Sequence, residues 1–498
     1  MTALRSSNVA DVLRRTAGRV PGRVALRFDG REWTYRELDD AVTRAAAFLI
    51  GLGLTKGDRV AAYGKNSDAY LLGFLACARA GLVHVPINYN LIGEELAYLV
   101  TQSGSSVALV DPALKDNVSG VERVVLLRDG ENSLLAAASE GEVPELDVDV
   151  ADTDLVQLLY TSGTTSKPKG AMMTHRALVH EYLSCLQALD LHENDDPLHV
   201  MPLYHSAQMH VFLLPWLAIG ATNDLMEVPE PGEILRRLAK NAHAAFFAAP
   251  TLWVALTNHP DFATRDLGSL RKAYYGASIM PGPIVERLAA KMPELGFYNC
   301  FGQSEIGPLA TVLSPADHAD RPDSAGRPVL FVEARVVDEQ GDDVAPNEPG
   351  EVVYRSPQLC LGYWDKPEDT EEAFREGWFH SGDLVRQDEE GYLFVVDRIK
   401  DVINTGGVLV ASREVEDALY THAAVGEVAV IGLPDEKWIE AVTAVVVSKE
   451  DVGADELMAH VRGKLSSFKL PKAVHFVDEL PRNASGKILK RELRERFS

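Results

Sequence analysis

Over the first 300 residues, short β-rich apolar runs alternate with stretches of helical spacing. Val24-Ala25-Leu26-Arg27-Phe28 reads as a strand, and Thr34 followed by Glu37 matches the pattern in which two side chains satisfy free amides at a helix start. The helix that follows would bury Leu38, Val42 and Leu49. The rhythm returns at Val83 to Tyr89, Val107 to Asp111 and Leu155 to Tyr160. Such alternation predicts an α/β fold with a mainly parallel sheet under helices, because parallel strands need crossover connections. After about Asp320 the spacing changes. Val329 to Val337 and Gly350 to Arg355 read as strands between turns rich in Gly, Asp and Pro, which predicts a small antiparallel unit. Further on come strands at Glu427 to Gly432 and Ala441 to Ser448, a helix at Ala454 to Leu465 and a strand at Ala473 to Val477, the pattern of a small α+β domain. The expected division is a large region 1–398, with layered α/β subdomains in 1–320 and the β-rich unit in 321–398, and a mobile C-terminal domain 399–498.

Composition narrows the class. With 498 residues, 46% hydrophobic and 24% charged, the chain has the balance of a soluble globular protein with a large core. The net charge, 49 minus 73 or −24, repels phosphate backbones and argues against a general nucleic-acid binder. Residues 461–498 depart from this, with ten Lys and Arg against four Asp and Glu. That stretch reads either as a solvated basic helix or as an arm that meets a phosphate. Cys77, Cys185, Cys300 and Cys360 lie far apart with no metal-ligand spacing, so neither a disulfide framework nor a zinc site is expected. The start lacks an apolar secretory segment, and Val211 to Ala221, the longest apolar stretch, is too short to span a bilayer. The end is not the Ser-Lys-Leu peroxisomal address, so a cytoplasmic location is expected.

The candidate chemistry begins at the end of the Leu155 to Tyr160 strand. Thr161-Ser162-Gly163-Thr164-Thr165-Ser166-Lys167-Pro168-Lys169-Gly170 supplies hydroxyls, amines and flexible backbone, the donors a polyphosphate requires. By itself it reads as a phosphate cradle or as a Ser/Thr/Gly surface turn. No Gly-Lys-Ser/Thr closes it, so it is not a Walker A loop. The segment resembles the phosphate loop of the acyl-adenylate-forming superfamily, which includes acyl-CoA synthetases, peptide-synthetase adenylation domains and luciferases. Ser166 stands where that family usually has Gly.

Further segments carry the resemblance over nearly the whole chain. Phe301-Gly302-Gln303-Ser304-Glu305 is similar to the family's Tyr-Gly-x-Thr-Glu, which implies that Phe301 stacks on adenine, Ser304 contacts the α-phosphate and Glu305 helps hold Mg²⁺. Tyr275-Gly276-Ala277-Ser278 resembles its adenine wall, and Gly377-Trp378-Phe379-His380-Ser381-Gly382-Asp383 its ribose segment, with Asp383 on the hydroxyls. Asp397-Arg398-Ile399-Lys400-Asp401 matches the interdomain hinge, implying a ribose or phosphate contact for Arg398 and the pivot at Lys400. Gly406 and Gly407 match the loop that lines the pantetheine tunnel of CoA. Pro481-Arg482-Asn483-Ala484-Ser485-Gly486-Lys487 matches the C-terminal catalytic-lysine loop.

The resemblance implies ATP, Mg²⁺ and CoA as cofactors and a small-molecule carboxylic acid as partner. Lys487 would act in adenylation, and His205, in Met201-Pro202-Leu203-Tyr204-His205-Ser206, would gate the acyl pocket. The pocket walls implied are Ala207, Val211, Tyr275, Gly276, Cys300, Gly302 and Pro308. Ala207 to Trp216 contains no Lys, Arg, Asp or Glu, which favours an apolar tail over an amino acid or dicarboxylate. The resemblance in overall wording is to bacterial fatty-acyl-CoA synthetases, so a medium- or long-chain fatty acid is expected. Aryl acids, and a carrier protein in place of CoA, are the alternatives.

Overall fold

The computed structural model describes residues 7–161, 167–241, 243–276, 280–406, 408–435, 437–482 and 488–498. Two compact units divide them: one runs to Thr161 and includes Pro168–Ala334 and Tyr354–Phe379, and the other holds Arg335–Val353 and His380–Ser498.

The first unit contains two sheets. The six-stranded sheet is ordered Arg123–Leu126, Val107–Val110, Arg59–Tyr63, Val83–Ile87, Leu155–Thr161, Lys169–Thr174. It is parallel until its last pair, where Leu155–Thr161 and Lys169–Thr174 run antiparallel and Thr161 lies opposite Lys169. The nine-stranded sheet places Gly296–Phe301, Lys272–Gly276, Ala245–Phe247, Leu198–His199, Asn223–Leu225 and Val24–Phe28 side by side in parallel, with antiparallel strands at both margins. The expected mainly parallel α/β layers are present as two sheets, and Val24–Phe28, from the start of the chain, joins the second beside Asn223–Leu225. The Asn223 amide donates to the Ala25 carbonyl at 3.0 Å, and the Tyr35 hydroxyl donates to the Ala221 carbonyl at 2.6 Å.

The cap at Thr34 is as expected. Its hydroxyl accepts the Glu37 amide while Glu37 accepts the Thr34 amide, and the helix Tyr35–Gly51 buries Leu38, Val42 and Leu49. Against it packs Asp68–Ala80, buried at every position except Arg79, so a helix apolar on nearly all sides is core. The Val329 to Val337 run begins its strand only at Glu333, because Val332 donates back to the Val329 carbonyl and closes a turn.

In the second unit Val408–Val410, Ile403–Thr405, Ile439–Ser448 and Val425–Asp435 are neighbours in one sheet, and Ala473–Phe476 adds to Ile439–Ser448 in parallel. Helices Ser412–Tyr420 and Ala454–Arg462 cover it over a core of Ile403, Val415, Leu419, Val430, Val442, Leu457 and Val461. Among the described residues no helix is long and apolar enough to cross a membrane.

Candidate active site

The hairpin of Leu155–Thr161 and Lys169–Thr174 brings the start of the hydroxyl-rich loop to the turn Ser304–Ile306. Glu305 is 6% exposed. Its Oε1 accepts the Thr161 hydroxyl at 3.1 Å and the Tyr363 hydroxyl at 3.0 Å. Burial first, then the neighbouring Glu305 carboxylate, push the Tyr363 phenol up, so it stays a hydroxyl and donates. The Lys169 ammonium pairs with Asp369 and sits 5.3 Å over the Tyr363 ring. Ser162, Gly163, Thr164, Thr165, Ala277, Ser278, Gly407 and Lys487 lie outside the described residues.

This donor set fits a hard cation. Glu305 has no basic partner among the described residues, and its held oxygen takes only neutral hydroxyls. Mg²⁺ usually takes one or two carboxylates and keeps several waters, so one such group beside substrate phosphates suffices. Groups of three or more His, Cys, Asp or Glu able to form an all-protein cage are absent among the described residues.

The glycines have packing reasons of their own. A Cβ on Gly276 would lie 2.3 Å from the Cys300 carbonyl on the next strand, and one on Gly302, at φ +154°, would lie 2.1 Å from the Pro308 carbonyl. Phe301 and Ser304 are partly exposed beside them, and the Ser304 hydroxyl meets Ser206 at 3.1 Å. His205 therefore adjoins the same turn through its chain neighbour. It is exposed, and its Nδ1 accepts the Ala207 amide at 3.3 Å, which leaves Nε2 to carry the proton of the neutral ring.

The next residues, Ala207–Leu213, form a π-helix, a wide turn often found at functional sites. Val211 is buried within it and Ala207 is partly exposed. Cys300 is partly exposed, while Pro308 is buried. Tyr275 lies in the core with Phe246 and Trp253, its hydroxyl 2.9 Å from His318 Nε2.

In the second unit Asp383 and Arg398 face each other across paired strands, with Arg398 Nε 2.8 Å from Asp383 Oδ1. Lys400 is exposed on the turn Ile399–Asp401. That turn is tied at both ends. Asp397 Oδ2 accepts the Ser412 amide and hydroxyl at 2.6 and 2.8 Å, and Arg494 pairs with Asp401 at 2.9 Å. Gly406 takes φ +66°, a conformation suited to glycine, and donates to the Trp438 carbonyl at 2.5 Å.

Sequence reasoning missed Tyr363, Asp369, Glu181 and Gln358. Glu181 carried a signal: it falls on the buried stripe of His175–Ala188 with Leu178 and Cys185, where an acid is unexpected.

Two layered α/β sheets in a large unit, a smaller α+β unit, and a carboxylate held by hydroxyls at the end of a Ser/Thr/Gly loop define an adenylate-forming architecture. The family described as AMP-binding enzyme matches residues 13–364, and the AMP-binding enzyme C-terminal domain matches residues 414–487. The chain belongs to the AMP-binding enzyme family. It is 39% identical to a feruloyl-CoA synthase of a Streptomyces species over 97% of this chain and 98% of that one. A long-chain-fatty-acid–CoA ligase of Escherichia coli O157:H7 is 32% identical over 99% of this chain and 95% of its own. The crystal structure of ATP-bound MatB from Rhodopseudomonas palustris superposes with a TM-score of 0.89 at 30% identity, covering 98% of this chain and 99% of that one.

Proposed function

We propose that this protein is an acid–thiol ligase that uses ATP to convert an apolar carboxylic acid to its acyl-adenylate and then passes the acyl group to the thiol of CoA. A free carboxylate resists attack because its charge and resonance make it a poor electrophile. Joined to AMP it becomes a mixed anhydride with a good leaving group. In the first half-reaction the acid's oxygen attacks the α-phosphorus in line, pyrophosphate departs, and charge grows on the phosphoryl oxygens. That step is accelerated by positioning and electrostatics, with no need for a covalent protein nucleophile.

The observation that carries this reading is the Glu305 carboxylate, buried and held by Thr161 and Tyr363 with no basic partner among the described residues. Glu305 would hold Mg²⁺, which when bound offsets the phosphate charge. Ser304 is assigned to the α-phosphate, Phe301 to adenine, and Asp383 with Arg398 to the ribose side. Lys487 supplies the ammonium for the first half-reaction, Lys400 is the hinge between the two, and Gly406 and Gly407 belong to the CoA-binding half. His205 guards the acyl end.

For the acid, an aryl-substituted acid of the hydroxycinnamate kind is the first reading. It is supported by the 39% identity to a feruloyl-CoA synthase, against 32% to a long-chain ligase. The uncharged run Ala207 to Trp216 suits it equally well. A medium- or long-chain fatty acid is the second reading, supported by the long-chain ligase.

Pyrophosphate release should be measured over a panel of cinnamates, benzoates and fatty acids with ATP, and thioester formation with CoA and with a carrier protein. The expected result is acid-dependent release, largest with a hydroxycinnamate, and thioester with CoA. Release without CoA thioester but with carrier loading would overturn the acceptor, and no acid-dependent release would overturn the adenylation. In the same assay Lys487→Ala should lose adenylate formation by at least about a hundredfold while still converting a supplied acyl-adenylate. Equal loss of both half-reactions would remove Lys487 from its assigned role.

A further inference from the structure

Beneath the turn that presents Glu305 lies a carboxyl group that none of these steps uses. Glu181 is completely buried. Its Oε1 accepts the Leu309 amide at 2.9 Å and the Cys185 thiol at 3.4 Å, and its Oε2 accepts from Gln358 Nε2. Gln358 is equally buried, and its neighbours fix which way its amide points. The carbonyl oxygen accepts the Ser184 hydroxyl at 2.6 Å, and Nε2 also lies 3.2 Å from the carbonyls of both Ile306 and Leu309.

The pair therefore meets the backbone of the segment following Glu305: the Leu309 N–H through Glu181, and the Ile306 and Leu309 carbonyls through the one Gln358 N–H not turned to Glu181, which the two carbonyls share. The fit is close, since a Cβ on Gly307 would come within 2.8 Å of Glu181 Oε2. Two residues past Gln358, the Cys360 amide donates to the Glu305 carbonyl at 2.8 Å. The stretch 358–360 and Glu181 thus hold the loop from Glu305 to Leu309 from its buried side.

We infer that Glu181, acting with Gln358, is a positioning residue for adenylation: it presets the Ser304–Leu309 segment so that the Glu305 carboxylate stands ready for the metal-bound triphosphate. The inference rests on the adenylating reading above. Both Glu181 oxygens face donors, and although burial raises the carboxyl, a proton on Oε1 can turn to the Cys185 sulfur, so each oxygen still offers a lone pair to its N–H donor. An amide of the same size does not, because its nitrogen would face either the Leu309 N–H or Gln358 Nε2. Glu181→Gln thus reverses polarity without changing volume.

The test compares wild type, Glu181→Gln and Glu181→Asp. Mg²⁺ half-activation and KM for ATP are read from acid-dependent pyrophosphate release, and Mn²⁺ binding in the presence of ATP is read directly by electron paramagnetic resonance. Glu181→Gln should raise the Mg²⁺ midpoint and the KM for ATP about five- to tenfold and weaken Mn²⁺ binding in parallel, the scale of a small misplacement of a binding group. The KM for the acid and the conversion of supplied acyl-adenylate should change less than about twofold. Glu181→Asp keeps two acceptors and should recover part of the metal response. A lowered melting temperature with unchanged metal and ATP midpoints would make Glu181 merely structural and overturn the inference. Should Glu181→Gln not fold, Gln358→Met removes the same arm from the other side and must reproduce the metal shift; an unchanged Mg²⁺ midpoint there overturns the inference as well. If wild type releases no pyrophosphate with any acid, the adenylating reading fails on its own, and the Mn²⁺ binding comparison still decides whether Glu181 governs the Glu305 turn.

Discussion

At the scale of single residues, the site depends on how firmly one carboxylate is aimed. Glu305 Oε1 takes two hydroxyls, from Thr161 and Tyr363, and Tyr363 is the more constrained of the two donors, with Lys169 over its ring. A hydrogen bond to a charged acceptor contributes about 1.5–3 kcal/mol, roughly ten- to a hundredfold in an equilibrium. Tyr363→Phe removes only the hydroxyl and leaves the buried ring in place. We expect kcat/KM for ATP in adenylation to fall about tenfold with little change in melting temperature. An unchanged kcat/KM would mean that Thr161 alone orients Glu305. Tyr363 was not legible in the sequence, because an aromatic after Gly362 looks like any core residue. Its role comes from an isolated bridge that sets Tyr363 opposite Ala171, on the strand leaving the hydroxyl-rich loop.

At the scale of elements, the sequence was legible where the cause is local and silent where the partner is distant. The Thr34 and Glu37 cap, the Val24–Phe28 strand and the strands and helix after residue 425 follow from spacing and capping chemistry, and they stand where expected. The π-helix Ala207–Leu213 has no local signature, since its apolar run suits an α-helix equally. The helix Ser412–Tyr420 is a second case. Its N-cap position is Ala411, which supplies no side-chain acceptor. The cap comes instead from Asp397, fifteen residues earlier, whose Oδ2 takes the Ser412 amide and hydroxyl. Asp397→Ala should therefore destabilise the second unit by about 1–2 kcal/mol, the usual range for a lost cap. The change should appear in urea unfolding followed through Trp438, the only tryptophan beyond residue 380. If the midpoint does not move, the helix start is satisfied by solvent and the link between Asp397 and the helix is incidental.

At the scale of the whole molecule, the large unit buries several neutral histidines, and this sets how the protein meets acid. His84 and His210 are fully buried, and burial lowers both to about 3. His199 and His175 are lowered to about 4 for the same reason. Their partners require the neutral form. Gln157 lies between His210 Nε2 at 2.7 Å and His84 Nδ1 at 3.1 Å, Tyr182 meets His210 Nδ1 at 3.0 Å, and the His84 and His175 Nε2 atoms have no acceptor among the described residues. For such a group the unfolded chain binds the proton first, near pH 6.5, while the folded state binds it only near pH 3–4. Stability is therefore fully present above about pH 6.5 and is lost as pH falls toward 4. Glu181 acts in the opposite sense by at most one proton, since burial raises it. Between pH 6 and 5, above most carboxylate titrations, unfolding should take up about two to three protons, a slope of about 3–4 kcal/mol per pH unit. Urea unfolding of the large unit, read through Trp216 beside His199, gives that slope directly. His199→Gln, which removes one of the four histidines, should reduce it by about one proton. A stability that stays flat from pH 7 to 5 would mean that these histidines gain protons without leaving the core, and that water reaches their buried rings.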